Sequence, residues 1–193
     1  MFTICTVRVI VPRPIAWVST QSGAGVDNLA PHSYFNGIAD DPPMLMFSIE
    51  DKTDTYWNLQ GVKQFVVNLV TLEHAEAMEI SAVHMPPEQD EFSWAGITKT
   101  PSDCVRPPRA AEALTAMECE VDQITDVGKR SHLVIGRVIR YHLSASIWRN
   151  GRIDLSSYQT VGRLSNQYCE PGRRFKMHRP HFEELERHGS GID

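Results

Sequence analysis

Cysteine is scarce in this 193-residue chain, and the four present (Cys5, Cys104, Cys119 and Cys169) are scattered with no C-x-x-C pair. That spacing argues against a disulfide framework and fits free thiols in a cytoplasmic protein. The eight histidines are equally dispersed and form no HExxH or similar zinc spacing, so no metal site is expected. There is no GxGxxG fingerprint and no Walker loop, which disfavours a Rossmann or P-loop nucleotide site. A GxSxG elbow is also missing, and no Ser or Cys has an obvious partner for nucleophilic catalysis. Apolar runs fall far short of the ~18–20 residues that a membrane span requires. The opening MFTICTVRVIVPRP lacks a long apolar core and a cleavage site, so no secretory leader is expected. Positive charge is in deficit, with 19 Lys and Arg against 24 Asp and Glu, net -5. A nucleic-acid binder needs a basic face, so that class is excluded, whereas one bound phosphate needs only a local cation.

What the sequence does contain is enough apolar material for a core, 41% of residues, in short runs punctuated by Gly, Pro, Asp and Asn. Ile15 to Thr20 reads as a strand, Gln21 to Asp27 as a hairpin loop, and Asn28 to Tyr34 as the returning strand. Pro31 implies that this last strand is an edge or irregular. Asp40 to Pro43 is a stop, and Met44 to Ile49 a buried strand. Thr53 to Gly61 reads as a short helix capped by Thr53 or Asp54 and stopped at Gly61. Gln64 to Val70 is a strand and Leu72 to Val83 a helix. Met85 to Pro108 is a long ordered excursion. Ala113 to Asp126 alternates, with Met117, Cys119 and Val121 on one side and Glu118, Glu120 and Asp122 on the other. His132 to His142 is a further strand, with Gly136 as a bulge. The stretch from Asn150 is polar and ends in a loose tail. No repeat or flexible linker interrupts the chain. Turn-punctuated strands with a few helices point to an antiparallel barrel rather than a doubly wound sheet.

Chemistry concentrates between Ser19 and Thr55. Lys52, Thr53 and Thr55 cluster at a helix start, where free N–H groups, hydroxyls and one cation suit a phosphate. Asp54 suits capping better than phosphate contact. The proline-kinked run Asn28 to Asn36 leaves backbone groups free to bond the edge of a planar heterocycle, with Tyr34 or Phe35 as apolar wall. Arg13, held extended between two prolines, could meet a phosphate or carboxylate. His132 opens an apolar strand and could touch a substrate. Taken alone, each of these also has a structural explanation: a capped helix, an edge strand, a solvated arginine, a strand end.

Together they resemble the flavin reductase-like family of FMN-binding split-barrel proteins. The carrying segments are VPRPIAWVST, NLAPHSYFN, DDPPMLMFSI, FVVNLV, EFSWAGIT and LVIGRV, in that order. The resemblance implies a single domain over 1–193, a mainly β, antiparallel Greek-key split β-barrel with helical insertions. Its core would span about 11–164, followed by a C-terminal tail over 165–193. It implies a homodimer with FMN at the interface, FAD being an alternative. It implies flavin contacts from Ser19 and Thr20, and ring and ribityl neighbours at Asn28, Ala30, Pro31, Ser33, Tyr34, Phe35 and Asn36. Ser48, Lys52, Thr53 and Thr55 become phosphate candidates, with Arg13 a weaker one. His132 matches a histidine that some members carry near the nicotinamide, making it the candidate catalytic residue. The implied activity is hydride transfer from NAD(P)H to flavin, with electrons passed to oxygen, free flavin or a partner oxygenase. A non-enzymatic flavin or electron carrier, and a relative that binds heme or a flavin-like ligand, stay open.

Overall fold

A computed structural model of the chain describes residues 8–188. Its strands are β1 (Arg13–Pro14), β2 (Ala16–Gln21), β3 (Asp27–His32), β4 (Phe35–Asp40), β5 (Pro43–Glu50), β6 (Gln64–Leu69), β7 (Lys99–Thr100), β8 (Arg109–Ala110), β9 (Thr115–Val127), β10 (Ser131–Leu143), β11 (Trp148–Arg149), β12 (Arg152–Ile153), β13 (Gly162–Leu164) and β14 (Gln167–Cys169). The helices are α1 (Asp54–Gly61), α2 (Ala75–Ile80), α3 (Glu91–Ala95) and α4 (Phe182–His188). Among the described residues no helix is long and apolar enough to cross a membrane.

Seven strands form one antiparallel sheet in the order β3-β2-β6-β9-β10-β5-β4. Period-two alternation gives each strand one apolar face. Ala16 and Val18 of β2 share a fully apolar core with Phe47 and Ile49 of β5, although three strands separate β2 from β5 in the sheet. Sharing that core requires the sheet to roll into a barrel, with its open seam where edge strand β3 meets the end of β5 that extends beyond edge strand β4. Leu59 of α1 enters the same core, so this helix plugs one end of the seam. On the outer face Trp17 and Leu29 pack with Met78 of α2 and Phe92 of α3. The mainly β split barrel expected from the sequence is therefore the fold.

Two local features follow from close packing. A register shift falls between Ile135 and Gly136, where a bulge was expected. A Cβ at Gly136 would lie 2.4 Å from Cζ of Phe65, so no larger residue fits without displacing that ring. The second is Glu118, on the side of β9 that its sequence alternation marks as polar, yet fully buried. Its carboxylate accepts hydrogen bonds from the N–H groups of Asp103 (2.7 Å), Cys104 (2.6 Å) and Val105 (3.1 Å), and pairs with His142 at 2.6 Å. Burial alone raises its pKa; the Asp103, His142 and Cys104 bonds outweigh it and hold the carboxyl below the usual range. The loop 101–108 is thereby fastened to the barrel.

One strand was not foreseen and two sequence expectations change. Phe35–Asp40 forms an edge strand, although it is exposed beyond Phe35 and carries no apolar alternation to reveal it. The helix expected over Leu72 to Val83 is a 3-10 turn at Leu72–His74 followed by α2, which ends at Ile80. Ser81 explains the stop: its hydroxyl donates to the Met78 carbonyl and accepts from Nε1 of Trp17, both at 2.8 Å. The polar stretch after Asn150 contains β12, β13, β14 and α4, and β13 pairs with β1. Residues 189–193 of the expected loose tail lie outside the described residues.

Glu118→Ala strips the acceptor from three backbone amides, and unfolding free energy is expected to fall by about 3 kcal/mol or more in urea titrations. Because the folded carboxyl ionises below its unfolded value, its contribution is complete above the ordinary carboxylate pKa. It is lost as pH falls through the lowered folded value, and the variant lacks that acid-side loss.

Candidate functional site

β3 is an edge strand, so its outer amides have no strand to pair with. One is satisfied by a side chain: the buried carboxylate of Glu91 accepts from the Leu29 N–H at 3.2 Å. α3 delivers that carboxylate because Asp90 caps it, accepting from the Phe92 N–H at 3.0 Å. Lys99 then ties Asp90 to Asp27 across the hairpin, at 2.5 and 2.7 Å.

Inside the seam, buried amides and hydroxyls join β3 to α1. Asn28 donates through Nδ2 to the hydroxyls of Thr20 and Thr55, both at 3.1 Å, and Asn58 donates to Thr20 at 3.0 Å. Asp51 has φ 60, a left-handed conformation that Asp tolerates better than most residues. It turns the chain out of β5 toward α1, and its N–H donates to the Arg130 carbonyl at 2.7 Å.

A groove follows the seam. One end, of about 400 Å³, is bounded by Arg13, Ser33, Tyr34, Ser48, Arg163 and Tyr168. The other, of about 190 Å³, is bounded by Asn28, Thr53, Thr55, Ser81, His84 and Glu91. Both ends share Pro31, His32, Glu50 and Ala82, so they are one continuous depression. Thr53 is the N-cap residue of α1 but makes no side-chain cap bond, and its buried Oγ1 has no partner. Nε2 of His32 is also buried without a partner. An unmet buried polar atom costs about 1–3 kcal/mol, and two beside one groove are what a site for a polar ligand leaves behind.

Electrostatics differ between the ends. Arg13 is almost fully buried and donates to the Ile10 carbonyl at 2.8 Å and to Oγ of Ser33 at 3.4 Å. The narrower end carries Asp54 and Glu91, Glu50 is common to both ends, and Glu79 bounds the wider one. Burial raises the carboxyl of Asp54, with His84 opposing and Glu88 adding to the shift. Burial likewise raises Glu91 above the usual range. Burial also pushes the His32 imidazole down to about 4, against a hydrogen bond to the Ser48 backbone that raises it. His32 is therefore neutral at pH 7, with its ring 5.1 Å from that of Phe47.

Of the sequence candidates, Arg13, Asn28, Ala30, Pro31, Ser33, Tyr34, Ser48, Thr53 and Thr55 line the groove. Others lie elsewhere. Ser19 is fully buried and donates to the Pro108 carbonyl at 2.5 Å. Thr20 stands behind the groove in the amide network. Phe35 packs against the barrel core, and Asn36 is exposed, accepting from the Gly37 N–H at 2.9 Å. Lys52 lies over the rings of Tyr56 and Trp57 at 5.5 and 5.6 Å. Together with His132 it bounds a separate cleft of about 320 Å³. His132 is in register with Ile49, so it faces the opposite side of the sheet from Ser48 and Glu50. Its Nδ1 pairs with Asp126 at 2.6 Å, and its ring lies 4.4 Å from that of Tyr56.

The groove also has members beyond the named candidates. His32 sits within NLAPHSYFN, where the alternation with Asn28 and Ala30 could have exposed it. Ser81 comes from the helix expected over Leu72 to Val83, and His84 and Glu91 from the segment HMPPEQDEF that leads into and through the excursion. Arg163 and Tyr168 arrive only because β13 pairs with β1, a contact with no local signal.

A split antiparallel barrel with a polar ligand groove along its seam defines the class of protein. The chain belongs to the flavin reductase-like domain family, whose model matches residues 8–154. Its structure is similar to that of nitrilotriacetate monooxygenase component B from Bacillus cereus (TM-score 0.86, 29% identity, 92% of this chain and 98% of that one). It is also similar to the 2-nitrobenzoate 2-nitroreductase of Pseudomonas fluorescens (TM-score 0.84, 31% identity, 91% of this chain and 89% of that one). An uncharacterised protein of Halalkalibacterium halodurans is 36% identical over 182 residues, 89% of this chain and 87% of that protein.

The His32 imidazole is expected to stay neutral from pH 8 to pH 5, and ¹H–¹⁵N NMR of the ring checks this. Its folded pKa of about 4 lies below the unfolded value of 6.5, so the unfolded chain binds more protons between the two. The stability linked to His32 is therefore complete above pH 6.5 and falls as pH drops toward 4, a slope that His32→Asn removes.

Proposed function

We propose that this chain is an FMN-binding oxidoreductase that accepts hydride from NAD(P)H. The observation that carries the reading is the seam groove of a flavin reductase-like domain, with unpartnered buried atoms on Thr53 and His32. These residues fit a phosphorylated, planar, polar ligand. Thr53 and Thr55 offer hydroxyls to the phosphate, beside the first amides of α1 and the His84 imidazole, whereas Ser48 bounds the ring end instead. The Pro31 to Tyr34 backbone edges the ring, with Tyr34 and Met78 as apolar wall. Bound FMN supplies hydride acceptance at its ring; the polypeptide supplies orientation, exclusion of water and electrostatics. Hydride transfer of this kind needs no acid–base dyad from the polypeptide.

A second copy of the chain fits the edge strand beside the groove. Tyr34 and Ile38, together with Ile139, Tyr141 and Leu143 of β10, are large, apolar and exposed. We propose a homodimer that covers them. The likeness to a monooxygenase component B supports an oxygenase as recipient of the electrons. A purely electron-carrying role is the second reading, favoured by the placement of His132 outside the groove.

Titration of purified protein with FMN, followed by flavin fluorescence, is expected to show saturable binding; no binding sinks the proposal. Anaerobic addition of NADH or NADPH to the loaded protein is expected to bleach the flavin band. Bleaching by dithionite alone supports the carrier instead. If His132 contacts the co-substrate from its cleft, His132→Asn should raise KM for the nicotinamide several-fold and leave the Kd for FMN unchanged. An equal change in both contradicts that role.

A further inference from the structure

Arg13 and Arg163 are directly opposite each other in the antiparallel pair β1–β13, and both bound the wider end of the groove. Like charges in that arrangement repel, so something must favour keeping both. The Arg163 guanidinium is positioned on three sides. Nε donates to the Ser165 carbonyl at 2.8 Å, and Nη1 donates to Glu79 at 3.2 Å and to the Tyr168 hydroxyl. The Tyr168 ring supports it from one face, 4.5 Å away. Nη2 has no hydrogen-bond partner among the described residues. Arg163 lies beyond the span matched by the family model, on a hairpin that the chain folds back onto the barrel. It is thus an oriented cation with a spare donor beside a half-enclosed groove, where charge interactions are stronger than in bulk water.

We propose that Arg163, seconded by Arg13, is the electrostatic partner of the flavin ring's pyrimidine half and favours the two-electron-reduced flavin over the oxidised one. The inference rests on FMN occupying the groove with its phosphate at the Thr53 end, which puts the ring at the arginine end. In the transfer, the C4–H bond of the reduced nicotinamide breaks and an N5–H bond forms on the flavin. Two electrons and one proton move together, the nicotinamide is oxidised to a cation, and the flavin is reduced to an anion with its new charge over N1 and the C2 carbonyl. A fixed guanidinium there gains attraction only when that charge appears, so it acts on the reduced state more than on binding. Arg163 is then a redox-tuning residue. Glu79, which shares its guanidinium, is a counterweight that reduces its field.

The test is the midpoint potential of FMN bound to the full chain, measured by dye-coupled anaerobic reduction beside fluorescence titrations of oxidised FMN. Arg163→Gln is expected to lose about tenfold in affinity for reduced relative to oxidised flavin, which lowers the two-electron potential by about 30 mV. Arg163→Lys should retain most of the wild-type value. Glu79→Gln removes the counterweight's charge, keeps an oxygen acceptor for the Arg163 guanidinium and should raise the potential, which keeps the test decisive even if Arg163→Gln misfolds. Potentials unchanged in folded Arg163→Gln, or a fall in Glu79→Gln, overturn the proposal. Equal weakening of oxidised and reduced flavin in Arg163→Gln also overturns it, since that is a uniform binding contact. A wild-type chain that binds no FMN overturns the functional reading itself, and the tuning role with it.

Discussion

The seam between β3 and β5 is the constraint on which the remaining architecture depends. A sheet that rolls up without closing leaves two backbone edges inside the molecule, and their polar groups must find partners. Here Glu91 takes the Leu29 amide, the Asn28 side chain links Thr20 to Thr55 behind the edge, and the Ser48 N–H extends the β4–β5 ladder to the Tyr34 carbonyl at 2.9 Å. Each of these bonds draws in an element from elsewhere: α3 for Glu91, α1 for Thr55, the β3–β4 corner for Tyr34. The helices inserted between strands are therefore the means by which an open barrel satisfies its edges, and the groove is what they leave uncovered.

The same logic explains the distant loop 101–108. It belongs to no strand, and one buried carboxylate gathers three of its amides, with Ser19 and Gln64 holding Pro108 and Arg106. Glu118, Asp103 and His142 could be mistaken for a metal-binding trio, since their ligand atoms lie within 4.8 Å of one another. The oxygens of Glu118 are already engaged by amides and by His142, and Asp103 pairs with Arg140. The cluster is accounted for as a fastening.

Much of this was legible in the sequence, and what was hidden has a common cause. The β2–β3 hairpin, the buried β5, the start of α1 and the long β9 and β10 all announce themselves through alternation, turn residues and caps. The Gly136 bulge was readable because only glycine fits against Phe65. In the site, Asn28 to Tyr34 and Thr53 to Thr55 stood out because chemistry and local pattern coincide there. Lys52 misled, because a sequence shows the charge but not the side of the turn on which it emerges. Asp51 in a left-handed conformation sends it over Tyr56 and Trp57. Phe35–Asp40 was silent because an exposed edge strand needs no apolar alternation. Arg163 and Tyr168 were silent for a different reason. Their place depends on a pairing between β1 and β13 across some 150 residues of chain, and no local pattern encodes such a contact.

The charge distribution along the groove bears on what kind of ligand it can hold. A phosphate dianion near Thr53 meets hydroxyls, helix amides and His84, but also Glu50, Asp54 and Glu91. Burial makes Asp54 and Glu91 harder to ionise than ordinary carboxyls, and this softens the repulsion without reversing it. The arginines lie at the opposite end, where a planar ring rather than a phosphate would be placed. A site built for a free phosphate would reverse that order. Placing the fixed arginines where charge develops during reduction, and hydroxyls and helix amides where charge is permanent, spends the strong interactions on the change of state and not on retention. A chain organised in this way grips its ligand mainly through the ring and the seam backbone, and its arginines do most when electrons arrive.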